Sequence, residues 1–112
     1  MRYALLINID TTTPRPEGAE LEAILRSHTR FEADLGGKLV HTARLRPHPE
    51  ASRVALDRGH PLVTHGPFAE TKEVLGGFYI VECDSKDEAI EWGKRLLLRE
   101  DRTVEVWPVW ER

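Results

Sequence analysis

Two amphipathic stripes of helical period, strand-like runs apolar on both faces and an element order of β-α-β, hairpin, β-α-β predict an α+β fold. The order is that of a ferredoxin-like split βαβ, with an extra hairpin between the halves. Four main strands would form the sheet and two helices would cover one of its faces.

Tyr3-Ala4-Leu5-Leu6-Ile7-Asn8-Ile9 opens the fold as a strand. A half-solvated strand alternates polar and apolar residues, whereas this one asks for cover on both faces and reads as central. Three threonines and two prolines between Asp10 and Pro16 make a loop. From Glu17 to Leu35 the positions Leu21, Ile24, Leu25, Phe31 and Leu35 recur at helical spacing, with His28 inside the same stripe. Gly36-Gly37 supplies the left-handed cap that stops the helix.

Lys38 to Arg46 alternates, placing Leu39, His41, Ala43 and Leu45 on one face and Val40, Thr42, Arg44 and Arg46 on the other. Pro47-His48-Pro49 closes it. Arg53–Asp57 and His60–Thr64, joined by Arg58-Gly59, form a hairpin that reads as an arm rather than a core element. A polar connector, His65 to Gly77, leads to the strand Phe78–Cys83, again apolar on both faces. Ser85-Lys86-Asp87-Glu88 is a capping box in which Glu88 reaches back to the Ser85 end. It opens a helix with the stripe Ala89, Trp92, Gly93, Leu96 and Leu97. Thr103 to Val109 closes the chain as a strand, and Pro108, unable to donate to a ladder, places it at an edge.

Helices on one face leave the other face of the sheet bare. The first and third long strands carry apolar residues on both sides, Tyr3, Phe78 and Tyr79 among them, and a monomer avoids so large a wet apolar patch. A two-fold homodimer packed sheet face to sheet face removes it.

Bulk composition sets the outer bounds. The 112 residues fit one domain, and 40% hydrophobic with 31% charged residues is the balance of a folded chain. The net charge is -3 with the cations scattered, so no basic face for nucleic acid is expected. The longest apolar run is too short to cross a membrane and no secretory leader follows Met1, which leads us to expect a cytoplasmic protein. A single cysteine, Cys83, excludes an intrachain disulfide and reads as a small core residue rather than a nucleophile. No metal-site spacing, phosphate-binding loop or nucleophile elbow is present, and no cofactor is expected.

The chemistry-bearing residues concentrate in the connector. His65, Glu70, Lys72 and Glu73 lie close together on a turn pinned by Gly66-Pro67, and a histidine beside a carboxylate suits acid-base work near neutral pH. Phe68, an aromatic among charges, should insert under the loop or into a partner. His41 either packs as a hydrogen-bonded core residue or projects into a cleft, and His28 is either a packed or half-packed boundary histidine or takes a catalytic or ligand role. The catalytic candidates are therefore His65, His41 and Glu70, and the ligand-binding candidates Phe68, Lys72, Glu73 and His28.

The run from Val63 through His65-Gly66-Pro67-Phe68 to Gly76-Gly77-Phe78 resembles the signature of the DGPF proteins within the YCII-related family. Met1 to Ile7, Asp84 to Ala89 and Val104 to Val109 extend the likeness, which is looser from Asp10 to Pro61. His65 stands where the motif has Asp. The resemblance implies a ferredoxin-like fold in a dimeric α+β barrel. It also implies an enzyme-like site, since some members of the wider family carry a His-Asp pair in a cleft and one relative acts in dechlorinating an aromatic ring. Other members are encoded beside extracytoplasmic-function sigma factors, a regulatory setting. Two functions follow. One is a dimeric, interaction-bearing or regulatory module whose connector is structural. The other is an enzyme or binder of a small organic ligand, using His and Glu in a sheet-side cleft.

Overall fold

The computed structural model describes residues 1–68 and 71–111. The strands are β1 (Arg2–Asp10), β2 (Leu39–Arg44), β3 (Ser52–Asp57), β4 (His60–His65), β5 (Glu73–Glu82) and β6 (Arg102–Pro108). The helices are α1 (Gly18–Leu35) and α2 (Lys86–Lys94). Strands β2-β5-β1-β6 form an antiparallel four-stranded sheet, and β3 and β4 form a separate hairpin. This order is compatible with the split βαβ arrangement: each helix connects strands that are not neighbours in the sheet.

Strand β1 is central, as its two-sided apolar pattern requires. Tyr3, Leu5 and Ile7 are buried on the helix side, in register with Val81, Tyr79 and Gly77 of β5. Phe31 of α1 locks the layers together, meeting the Tyr79 ring edge-on at 4.9 Å and the Trp92 ring of α2 at 5.7 Å. Such aromatic pairs add about 0.5–1.5 kcal/mol each beyond the area they bury. Helix α2 lies close on β6, because a Cβ on Gly93 would already meet Val104 and Val106 at 3.4 Å.

The caps follow the sequence with one shift. Gly36 has a φ of 53° and its N–H bonds the Glu32 carbonyl. The Glu88 N–H donates to Ser85 Oγ at 3.1 Å, but the Glu88 carboxylate accepts from the Asp84 N–H at 2.8 Å, one residue before the predicted partner. Lys38 joins the same carboxylate at 2.8 Å and holds its pKa down at about 2. In the α2 stripe Leu97 falls outside the core at 52% exposure, because the helix ends at Lys94.

Two register shifts correct the predicted strand faces. Between Leu39 and His41 the β2–β5 ladder slips by one residue, so Leu39 faces the helices while His41 and Ala43 lie on the bare face with Ile80 and Phe78. The alternation read from the sequence had put all three on one side. A second shift lies between Ile7 and Asn8 opposite Gly76, within a stretch expected to be connector. Strand β5 therefore starts at Glu73, not Phe78. Of the residues expected to demand cover, Tyr3 and Tyr79 face the helices, and Phe78 faces outward with Ala4, Leu6 and Ile80.

The hairpin stands away from the body. Every residue of β3 and β4 is exposed, and the two-residue turn uses positive φ at both Arg58 (53°) and Gly59 (84°). The radius of gyration is 15.8 Å, where a compact domain of this length has about 13 Å. Val54, Leu56, Pro61 and Val63 share one face of this arm. Pro108 sits on the edge strand, as its missing donor requires.

Candidate functional site

The half of the sheet under α1 is not filled. Large side chains of α1 bridge to the sheet at Phe31 and Leu35, but toward the N-terminal half of the helix a cleft of about 370 Å³ opens. Its floor is Ile7, Gly76 and Gly77, where β5 has no side chains to raise it. Its roof is Leu21, Ile24, Leu25 and His28. A second cavity of about 310 Å³ continues it toward the Asp10–Pro16 loop and Pro47-His48-Pro49, and both are lined by Arg44 and Arg102. Apolar walls with a few convergent polar groups are the usual make-up of a small-molecule site.

The polar centre of the cleft is a chain of three side chains. The Tyr79 hydroxyl donates to Glu32 Oε2 at 3.0 Å and lies 3.0 Å from His28 Nδ1. A hydroxyl has one proton, so with that proton on Glu32 its oxygen accepts from the Nδ1–H of His28. Burial and then the positive charge of Arg102 pull the His28 pKa below the usual imidazole value; Glu32 opposes them, and Arg44 adds a lesser downward pull. A neutral imidazole protonated at Nδ1 has its lone pair on Nε2, which is the form a general base needs. Burial and the Glu32 bond push the Tyr79 phenol well above its ordinary range, so it stays a donor. Helical spacing explains the pairing on one side: His28 and Glu32 are four apart on α1 and share a face.

The sequence-predicted site residues fall in three separate places. His28 is in the cleft. His41 lies exposed on the opposite face of the sheet, tilted against Phe78 at 5.8 Å. His65 ends β4 at the base of the arm, with Nδ1 2.8 Å from Ser52 Oγ, and lines neither cavity. Phe68, expected to insert under the loop or into a partner, is half-buried with the Arg53 guanidinium 4.1 Å from its ring centre. Lys72 offers its carbonyl to the Thr11 N–H at 2.7 Å, and Glu73 accepts from the Thr103 hydroxyl at 3.3 Å. Glu70 lies outside the described residues. The structure thus does not bring His65, His41, Lys72 and Glu73 together.

Glu32, Tyr79, Arg44 and Arg102 were not singled out by the sequence. The His28–Glu32 spacing was a usable signal; the two arginines, on opposite edge strands, left none. Cys83 is a core residue at 2% exposure, and burial pushes its thiol pKa up. Among the described residues no group of three or more His, Cys, Asp or Glu side chains is arranged to hold a metal ion. Nor is any described helix long and apolar enough to cross a membrane.

Against known proteins, the family model of the YCII-related domain matches residues 1–112. An uncharacterized protein of Rhizobium meliloti (strain 1021) is 37% identical over 99 residues, which are 86% of this chain and 80% of that protein.

Proposed function

This chain belongs to the YCII-related family, and on that premise we propose that it is a homodimeric protein that binds a small organic molecule in the cleft under α1 and acts on it by proton transfer. The observation that carries this reading is the His28–Tyr79–Glu32 chain inside a cavity large enough for a ligand. His28 is the base, Tyr79 fixes its tautomer and Glu32 orients the phenol.

The connector takes a structural role in this reading. The Gly66 N–H bonds the Ala51 carbonyl at 2.8 Å, Phe68 is covered by Arg53, and Thr11 bonds the main chain at Lys72. A Cβ on Gly66 would run into the His48 carbonyl, so glycine lets the loop seat there. The dimer is supported by the bare sheet face, where Ala4, Leu6, Phe78 and Ile80 have no helix over them and Trp107 is 56% exposed. The apolar face of the arm favours a second reading, an interaction module that regulates a partner through Val54 and Leu56, which are 69% and 76% exposed.

Fragment screening by amide chemical-shift mapping tests the choice. The expected hits move the amides of Thr42, Gly76, Gly77 and Tyr79 and weaken in a His28→Leu variant. Hits confined to the hairpin, with the cleft amides unmoved, would favour the interaction module and defeat the cleft reading. Light scattering on the eluting peak reads the dimer, and a Leu6→Arg change is expected to give monomer.

A further inference from the structure

The cleft holds two cations, Arg44 and Arg102, that none of its own acids hydrogen-bonds among the described residues. Arg44 is paired in register with Gly77, and Arg102 with Ile9; both positions point to the helix side of the sheet. They stand on the two edge strands, three strand spacings apart, about 14 Å. Yet both line each of the two cavities, so their side chains lean inward over the glycine floor.

The Arg102 side chain is only 8% exposed. Its Nε lies 3.9 Å from Asp101 Oδ1, near enough for attraction but too far for a hydrogen bond, and neither atom has a hydrogen-bond partner among the described residues. Asp101 is turned instead to Arg99, whose Nη1 donates to its other oxygen at 3.3 Å. Of the remaining acids near the cleft, Glu32 accepts from Tyr79, and Asp10 accepts from the Thr12 amide and hydroxyl at 2.8 and 2.6 Å. Arg46 has its own partner in Glu50 at 2.9 Å. No ion pair engages Arg44 among the described residues. Burial and the like charges of Arg99 and Arg44 oppose the charge on Arg102, beyond what Asp101 and Glu20 return. A buried guanidinium with an unused donor beside a second guanidinium is a costly arrangement unless an anion completes it.

We propose that the ligand of this cleft is a small amphipathic carboxylate, its carboxylate bound by Arg102 and Arg44 and its apolar body lying against Ile7, Ile24 and Leu25. A planar carboxylate matches the guanidinium fork, which can hold it with two parallel N–H···O bonds. The apolar stretch of roof and floor selects against a bare inorganic anion. In this arrangement the substrate is oriented with its charge at the arginine end and its body running toward His28. The proposal rests on the cleft reading and adds to it the charge class of the ligand.

Titrations of the full chain with benzoate, benzamide, hexanoate and inorganic phosphate, followed by the amide shifts of Gly76, Gly77 and Tyr79, test it. Benzoate and hexanoate are expected to bind, and benzamide and phosphate to bind at least about tenfold more weakly. Arg44→Gln, a change at an exposed side chain, is expected to weaken benzoate by about tenfold while leaving benzamide unchanged. Arg102→Gln should do more, and Arg102→Lys should recover part of the affinity. The thermal transition of each variant checks that it folds. Equal binding of benzoate and benzamide, dependent on His28, would overturn the anion and leave the cleft reading standing. Phosphate binding as tightly as benzoate would overturn the amphipathic ligand. An absence of cleft shifts with every probe would overturn both.

Discussion

Replacing Tyr79 by Phe removes one oxygen and leaves the ring in place against Phe31, 4.9 Å away. The change deletes the bond donated to Glu32 at 3.0 Å and the one accepted from His28 at 3.0 Å, and leaves two half-buried polar groups to find other partners. A hydrogen bond to a charged group contributes about 1.5–3 kcal/mol and a neutral one about 0.5–1.5, but with both groups half in water only part of that is lost. A net cost of about 1–3 kcal/mol is expected. For 112 residues the unfolding entropy is about 0.24 kcal/mol/K, so each kcal/mol moves the transition by about 4 °C. Calorimetry should therefore show Tm falling by about 4–13 °C. Nitrogen-15 spectra of the imidazole provide the second readout: His28 should be Nδ1-protonated in the native protein and shift toward the Nε2-protonated form in Tyr79→Phe. An unchanged Tm together with an Nε2-protonated His28 in the native protein would refute the hydrogen-bond chain and with it the general base.

Three further outcomes are expected. His28 binds its proton less readily folded than unfolded, so its contribution to stability is complete above about pH 6.5 and is lost as the pH falls through its lower folded value; urea midpoints at pH 7.5 and 5.5 should differ more in the native protein than in His28→Gln. Glu88, held at about 2, titrates well below that window. Phe31→Ala, at a side chain 2% exposed where α1, β5 and α2 meet, should cost about 3–5 kcal/mol by chemical denaturation. Gly66→Ala sets a methyl against the His48 carbonyl, with the Pro49 Cα at 3.1 Å, and should cost about 1–3 kcal/mol in the same assay, without loss of cleft binding.

What the residues disclose on their own is what local chemistry controls. The period of the stripe through Ile24, Phe31 and Leu35 makes α1, Gly36 ends it, the Ser85 hydroxyl starts α2, and Arg58-Gly59 closes the hairpin. Each of these depends on neighbours within a turn of chain, so the sequence carries them. The strand order also follows, because the alternation of strands and helices leaves few ways to close a sheet. Faces within strands were less secure. One extra residue opposite Val81 and Ile80 turns His41 to the bare face, and with a bulge at Gly76 the last five residues of the predicted connector, Glu73 to Gly77, belong to β5.

The cleft proposed as the site is a product of tertiary packing. The Tyr79 phenol meets a histidine 51 residues earlier, and Arg44 and Arg102 line the same two cavities from opposite edges of the sheet. No periodicity encodes such meetings; they arise from which strands pair and how far α1 stands from the glycines beneath it. The dense polar loop from His65 to Glu73 stands out in the sequence because its residues are neighbours along the chain. Folding uses that loop's described backbone and rings to seat itself, and the proposed site lies where residues distant in sequence meet over an unfilled part of the sheet.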